Sequence, residues 1–307
     1  MKTAVREDRM LVVSDIHMGN RMHRTRRAFT EFVQFALDHR YSVCINGDGI
    51  DIAQLSLSLL VSDLTPSVGL FLKFWENDLR IYYTVGNHDI ALEHFLTDVG
   101  RMKVVPFLSV TSGNKRIRVE HGHMYDDMFL RFPRLYYAFT LIGRLAIGIG
   151  PRTYHAMHVL NDACIAALEQ VLSGFGLLKK AAPPPDENWI KGERACFREG
   201  AEASGIRGFD AVIFGHTHFE GTATLFDGTE YYNTGGWFGD PYCVAIDNGR
   251  LWYGSVKNLV AQGDPFPMSD DEVVLAITGM YPVQRNDGER LKVVDRAAPH
   301  TPNEPSR

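Results

Sequence analysis

The sequence has few cysteines and no excess of positive charge. None of the cysteines forms a Cys-x-x-Cys pair, which argues against a zinc ribbon or a disulfide-dense scaffold and predicts reduced thiols. A net charge of −5 over 307 residues gives no general attraction for nucleic acid, whose binding proteins carry a strongly basic face. We therefore expect no nucleic-acid partner. The four cysteines are Cys44, Cys164, Cys196 and Cys243.

Two stretches bear on targeting: residues 1–10 lack the apolar core expected of a secretion signal, and the apolar stretch 135–149 is not expected to span a membrane. Residues 1–10 are polar and mixed in charge, so we expect a cytoplasmic protein. The apolar stretch 135–149 is interrupted by Arg144 and two glycines and falls short of the roughly 20 residues that span a bilayer. The composition of the tail after about residue 297 predicts disorder.

Five short polar segments each follow an apolar, β-branched run. Such runs predict buried strands, and the polar residues then lie where strands end and loops begin, which is where ligands of an open α/β sheet collect. Together the segments supply enough oxygen and nitrogen donors for two adjacent metal ions. They are Ser14-Asp15-Ile16-His17, Asn46-Gly47-Asp48-Gly49, Gly86-Asn87-His88-Asp89, Glu120-His121-Gly122-His123 and Gly215-His216-Thr217-His218.

The order of these segments, DxH, GD, GNHD, HGH and GHTH, resembles the calcineurin-like metallophosphoesterase family from about residue 11 to about residue 250. One motif alone would carry little information, whereas all five in sequence, each after a strand, are specific. The resemblance implies an α/β fold, a four-layer α/β/β/α sandwich with a helical cap insertion. It also implies a phosphoesterase that uses two divalent metal ions.

The resemblance assigns ligands to both ions. Two ions about 3.5–4 Å apart can hold the attacking and leaving oxygens of a phosphoryl displacement and lower the pKa of a bound water. Asp48 would bridge them. The mixed imidazole, carboxylate and amide donors suit manganese, iron, zinc or cobalt better than calcium or magnesium and do not choose among these four, of which we expect manganese. The other ligands would be Asp15, His17 and His218 at the first site and Asn87, His121 and His216 at the second.

The histidine of GNHD has a different implied role. In the family it lies near the substrate phosphate, so His88 would stabilise charge or protonate the leaving oxygen. Asp89 is predicted to orient the His88 ring. His123 is a candidate substrate-binding residue for which two roles stay open: a metal ligand through its carbonyl or ring, or a residue that supports the ligands.

The connection between His121 and His216 is far longer than two neighbouring core strands require, and its helical pattern predicts a cap. We therefore expect one domain with an insertion. The predicted boundaries are 1–126 and 209–260 for the core, 127–208 for the cap and 261–307 for a C-terminal extension. The apolar stretch 135–149 of the cap, with Leu141 and Leu145, is either an ordinary buried helix or an acyl-chain groove or membrane-facing surface.

Within the family, the DIHMG, GDGID, GNHD and HGHMYD segments, the helical insertion and the stretch from Tyr232 to Trp237 resemble the UDP-2,3-diacylglucosamine pyrophosphatase branch. Enterobacterial members of that branch carry arginine at the position of His88 and aspartate at that of His123, so the chain is more similar to a divergent second subgroup and to generic phosphoesterases. Arg24 and Arg27, in a basic cluster after DxH, are predicted to bind a second phosphate. The alternative is a solvated helix start.

The preferred hypothesis is cleavage of the pyrophosphate of UDP-2,3-diacylglucosamine to UMP and lipid X, a lipid monophosphate of lipid A biosynthesis. The enzyme would be cytoplasmic and would touch the inner membrane through its cap. One alternative is a phosphodiesterase or phosphatase for a soluble nucleotide or another phosphoester. A non-catalytic scaffold is the other, and the complete ligand set together with His88 argues against it.

Overall fold

A computed structural model describes residues 2–20, 26–52, 56–96, 102–134, 138, 167–168, 171–176, 189–190, 193–237 and 239–268. The chain divides into two units, 1–265 and 266–307. All helices and strands of the described residues lie in the first unit.

Twelve strands of the described residues form two six-stranded sheets. One sheet has the order β1-β6-β7-β8-β10-β9 and the other β12-β11-β2-β3-β4-β5. The strands are β1 (Ala4–Arg6), β2 (Arg9–Val13), β3 (Ser42–Asn46), β4 (Ile81–Thr84), β5 (Met102–Val105), β6 (Leu108–Ser112), β7 (Lys115–Val119), β8 (Ala211–Phe214), β9 (Gly221–Thr224), β10 (Glu230–Asn233), β11 (Tyr242–Asp247) and β12 (Arg250–Ser255).

The central strands of each sheet run parallel, and this direction positions the loops that matter for function. In the second sheet β2, β3, β4 and β5 are parallel neighbours, and in the first sheet β7 pairs parallel with β8. Every residue of β3, β4 and β8 is buried, as expected for parallel strands covered on both faces. Because the carboxyl ends of parallel strands meet at one edge, the polar segments that follow them gather there.

The main hydrophobic core lies between the two sheets. It joins Met10, Val12 and Cys44 of the second sheet to Ile117 and Ile213 of the first. Burying a side chain of this size contributes about 1.5–3 kcal/mol, so this layer contributes substantially to stability.

Helices cover the outer faces. Helix α1 packs on α2 and on β3, whereas Phe197 and Ala201 of α4 pack on Val212 and Phe214 of β8. The predicted α/β/β/α layering is therefore confirmed. The helices are α1 (Arg26–Asp38), α2 (Leu57–Glu76), α3 (Asp127–Arg131), α4 (Ala195–Ile206) and α5 (Val256–Gln262), with short 3₁₀ helices at Ile90–Phe95 and His123–Tyr125.

Helix α2 contains a proline, Pro66, in its interior. A proline removes one intrahelical donor, and here the turns on both sides continue without that bond. Among the described helices, α2 alone has the length and apolar composition to cross a membrane, and 11% of its apolar window is buried.

Other predicted elements have mixed outcomes. The sequence patterns missed β1, β5 and β6, and α5 extends past the expected core boundary at residue 260. Most of the predicted cap, including the apolar stretch 135–149 except residue 138, lies outside the described residues. The domain boundaries therefore stay a prediction.

Candidate metal centre

The polar segments meet and brace one another through the backbone. The Asp15 amide donates to the Gly47 carbonyl at 3.1 Å and the His17 amide to the Asp48 carbonyl at 2.9 Å. Between the sheets, the His216 amide donates to Asp15 Oδ2 at 3.0 Å. These hydrogen bonds within the protein therefore fix the loops of both sheets relative to one another.

One cluster of donors joins Asp15, His17 and His218. Each residue offers one ligand atom, and the three atoms lie within 4.8 Å of one another. His218 Nε2 is 3.2 Å from Asp15 Oδ1 and 3.5 Å from His17 Nε2. The structure thus brings together the three residues predicted for the first metal site.

A second cluster joins Asp48, His121 and His216, with Asn87 between them. Asn87 Oδ1 lies 3.0 Å from His121 Nε2 and 2.7 Å from His216 Nδ1. His121 Nε2 is also 3.2 Å from Asp48 Oδ2. These four residues are the predicted ligands of the second site together with the predicted bridge.

The donor set fits divalent ions. Ligand atoms that lie at right angles about 2.1 Å from one ion are about 3.0 Å apart, and the donor spacings of the second cluster lie close to this value. Apart from the His218 ring nitrogen 3.2 Å away, Asp15 Oδ1 is buried without a hydrogen-bond partner, as expected for an oxygen that a cation would satisfy. His/Asp clusters of this kind could hold metal ions, and their chemistry does not select one metal.

Five of the seven predicted ligand residues adopt a backbone conformation that residues other than glycine rarely adopt. Positive φ angles occur in only a few per cent of such residues, and unfavourable backbone conformations concentrate at functional sites. Their side chains are aimed by this geometry. The residues are Asp15 (53°), His17 (52°), Asp48 (50°), His216 (71°) and His218 (60°).

The buried charges of the site strongly shift the pKa values of its carboxylates and histidines. Burial opposes the charge on Asp15, but the positive charges of His121 and His218 outweigh it and lower the pKa of Asp15 to about 2. Burial likewise opposes the charge on His121, yet Asp48 and Asp15 raise its pKa to about 10. The carboxylates therefore create a strongly negative potential, which favours cations at this place.

His88 lies beside these two clusters and forms a third group of donors with His17 and Asp51; its carboxylate partner is Asp51. His88 Nδ1 is 3.1 Å from Asp51 Oδ1, and Asp51 Oδ2 also accepts a hydrogen bond from Asn20 Nδ2 at 2.8 Å. Burial favours the neutral ring, but the charges of Asp48 and Asp51 raise the pKa of His88 to about 9. An imidazole held in this way can carry a proton toward a neighbouring oxygen.

The predicted pairing of His88 with Asp89 is wrong. Asp89 accepts hydrogen bonds from the Gly86 amide at 2.6 Å, from the Gly49 amide at 3.0 Å and from the Tyr83 hydroxyl. Its carboxylate is thus directed at the backbone of two ligand loops, and Asp51 is the carboxylate that contacts the His88 ring. The hydrogen bonds of Asp89 hold the two loops together.

The candidate substrate-binding residues differ in where they lie. His123 is buried and neither ring nitrogen forms a hydrogen bond, and burial together with the charges of His121 and His216 lowers its pKa to about 3. Arg27 lies exposed on α1 and pairs with Glu31 at 2.7 Å, a position that matches the solvated helix start rather than the predicted phosphate contact. Arg24, Leu141 and Leu145 lie outside the described residues.

Sequence reasoning gave no role to Asp51 or Asp126, although both touch histidines of the site. Asp51 follows Asp48 by three residues, and Asp126 ends the HGHMYD segment. Asp126 Oδ2 lies 2.9 Å from His216 Nε2. The sequence signal that could have found them is a carboxylate that follows a predicted ligand by a few residues: Asp51 follows Asp48, and Asp126 follows His121.

The fold and the site define an α/β/β/α protein with paired histidine–carboxylate clusters at the ends of its central strands. The calcineurin-like phosphoesterase family matches residues 9–220, more than half of the chain. The chain therefore belongs to the calcineurin-like phosphoesterase family. No curated protein sequence matches it at a significant level.

Three solved structures that match the chain have low sequence identity to it and TM-scores below 0.5. A dimetal phosphatase from Danio rerio has 11% identity and a TM-score of 0.44, with 80% of this chain and 95% of that one covered. A predicted phosphoesterase from Streptococcus pneumoniae has 14% identity and a TM-score of 0.32, covering 81% and 90%. Vps29 with zinc from Entamoeba histolytica has 12% identity and a TM-score of 0.37, covering 81% and 99%.

Proposed function

We propose that the protein is a two-metal phosphohydrolase that cleaves the pyrophosphate of UDP-2,3-diacylglucosamine to UMP and lipid X. The observation that supports hydrolysis is the juxtaposition of two donor clusters with a histidine that can carry a proton, His88. The choice of substrate is supported by the sequence segments shared with the UDP-2,3-diacylglucosamine pyrophosphatase branch. Manganese as the metal, a cytoplasmic location and contact of the cap with the inner membrane belong to the same proposal.

Each residue of the site has a task in this reaction. Two bound ions would supply positive charge to the phosphoryl oxygens and acidity to a water molecule. Asp48, which is buried in the second cluster, would contribute a negative charge to both metal sites. Asp51 holds Nδ1 of His88, so the other ring nitrogen, Nε2, is the one that would donate a proton to the leaving oxygen.

The test compares two substrates in the metal-loaded protein. We expect cleavage of UDP-2,3-diacylglucosamine and of a small chromogenic phosphodiester, and no cleavage of either by the Asp48→Asn variant. Polar substitutions at Leu141 and Leu145 should lower kcat/KM for the diacylated substrate by 10²-fold or more, since each buried methylene contributes about 0.8 kcal/mol. The same substitutions should leave the small substrate unaffected.

The outcomes separate the parts of the proposal. If the unmodified protein binds two ions and never cleaves the lipid substrate, the substrate assignment is wrong and a soluble phosphoester is favoured. If it binds two ions and cleaves no phosphoester, the hydrolase proposal fails and a binding role is favoured. Parallel loss of both activities in the leucine variants would identify those leucines as ordinary core.

A further inference from the structure

The ring of His216 is held from both sides. Its Nδ1 lies 2.7 Å from Asn87 Oδ1, inside the second donor cluster. Its Nε2 lies 2.9 Å from Asp126 Oδ2 on the other side of the ring. One ring nitrogen thus faces the candidate metal site and the other faces a buried carboxylate.

Asp126 is itself fixed by Arg194. Arg194 Nη1 donates to Asp126 Oδ1 at 3.0 Å and Nη2 donates to Oδ2 at 2.7 Å, which is a bidentate pair of the strong kind. Asp126 is 2% exposed. Its amide donates to the His123 carbonyl at 3.1 Å, so the segment that carries His121 also determines where Asp126 lies.

The residue before Arg194 holds the same loop at a second point. Glu193 Oε2 accepts a hydrogen bond from Thr217 Oγ1 at 2.9 Å, and Thr217 lies between His216 and His218. The adjacent residues 193 and 194 therefore contact the 215–218 loop twice, once at Thr217 and once through Asp126. This segment lies near the end of the predicted cap insertion and connects it to the metal centre.

We propose that Asp126, held by Arg194, is a positioning residue that fixes the tautomer and orientation of His216 at the second metal site. A carboxylate can only accept a hydrogen bond, so Nε2 carries the proton and Nδ1 keeps its lone pair for the candidate metal site that it borders together with Asn87 Oδ1. Carboxylate partners of metal-binding histidines act in this way. The inference rests on the two-metal part of the proposed function.

Asp126 is placed to act through His216 and not as a ligand. Of the described residues, the group of donors around His216 contains Asp48 and His121 but not Asp126. Its loss should therefore affect the second site selectively and leave the first cluster, Asp15 with His17 and His218, intact. A role confined to general stability would affect both sites together.

The experiment measures bound manganese by equilibrium dialysis for Asp126→Asn, with Asp127→Asn as the matched control. Asp127 is the next residue, is one-third exposed and pairs with Arg131 at 3.6 Å. At a free Mn²⁺ concentration that loads two ions in the unmodified protein and in Asp127→Asn, Asp126→Asn should retain one. Its second ion should bind 10- to 100-fold more weakly, and Arg194→Gln should shift the same ion in the same direction.

Thermal unfolding of the metal-free variants completes the test. If Asp126→Asn bound two ions with normal affinity, the inference would be overturned and the proposed function would be unaffected. Equal weakening of both ions, together with a lower Tm, would also overturn it, because it would show a general structural role. If the unmodified protein bound no ion, the proposed function and the inference would fail together.

Discussion

Replacing Gly86 with alanine should disable the metal centre without changing any ligand. A Cβ at this position would lie 2.2 Å from Asp48 Oδ1 and 2.5 Å from the Asp48 amide nitrogen. Gly86 is not among the residues with positive φ, so the conflict is steric. Ordinary carbon–oxygen contacts are about 3.3 Å or longer, and the two groups must therefore separate by about 1 Å.

Asp48 has little freedom to move away. It is 1% exposed, and its Oδ1 accepts a hydrogen bond from the His88 amide at 2.8 Å. A displacement of about 1 Å in catalytic geometry can cost about 10²-fold in rate, and overpacking of a buried position costs about 1–3 kcal/mol of folding stability. We expect both effects in Gly86→Ala, together with loss of at least one bound ion.

Gly69→Ala is the matched control for this variant. A Cβ at Gly69 would have no heavy atom within 4 Å, and the residue lies inside α2, where alanine is favoured over glycine by about 1 kcal/mol. The control should therefore be at least as stable as the unmodified protein and should bind two ions. Hydrolysis of a chromogenic phosphodiester, metal content and thermal unfolding would be measured for all three proteins. Normal turnover and two ions in Gly86→Ala would refute the proposed crowding of Asp48.

Two further predictions concern neighbouring groups. His88→Ala should lower kcat by about 10²–10⁴-fold, the size of a general acid contribution, and keep its metal; metal loss instead would make His88 a ligand. Burial outweighs hydrogen bonds from Thr217, Tyr231 and Asn233 and raises the pKa of Glu193 from 4.5 to about 7. The contribution of Glu193 to the free energy of unfolding is complete below pH 4.5 and is lost as the pH rises through 7. Between pH 4.5 and 8, the free energy of unfolding of the unmodified protein should therefore fall by up to about 3 kcal/mol relative to that of Glu193→Gln. Urea unfolding of both metal-free proteins measures this difference, and a constant difference across that range would contradict the raised pKa.

The layered fold was predictable because its central strands are short, apolar and β-branched. Apolar runs such as β3 and β8 indicate buried strands. Because each of these strands runs parallel to its neighbours, the polar residues that follow the parallel strands lie at the same edge of the sheet. The missed strands are of another kind. β1 has three residues with two exposed, and β5 begins with exposed Met102, so neither has the apolar pattern that identifies a strand.

The partner of His88 could not be read from adjacency. Asp89 is its neighbour in the chain, but the loop directs consecutive side chains in different directions, and the Asp89 carboxylate binds the Gly86 and Gly49 amides instead. Asp51 reaches the ring because β3 and β4 are parallel neighbours whose following loops converge. Residues that support a site from a different loop require three-dimensional information that spacing does not contain.

The backbone of the site also places a demand on the rest of the fold. A left-handed conformation costs a residue with a side chain up to roughly 1–2 kcal/mol, and less for aspartate and histidine, which adopt it more often than other side chains, so the five ligand residues with positive φ together cost at most on the order of 5–10 kcal/mol. That sum approaches the net stability of a typical domain, about 5–15 kcal/mol. The cross-sheet hydrogen bond from the His216 amide to Asp15 Oδ2 and the core between the sheets must therefore hold these loops in place. A substitution in that core should weaken metal binding even though it touches no ligand, because the donor geometry depends on how the two sheets pack.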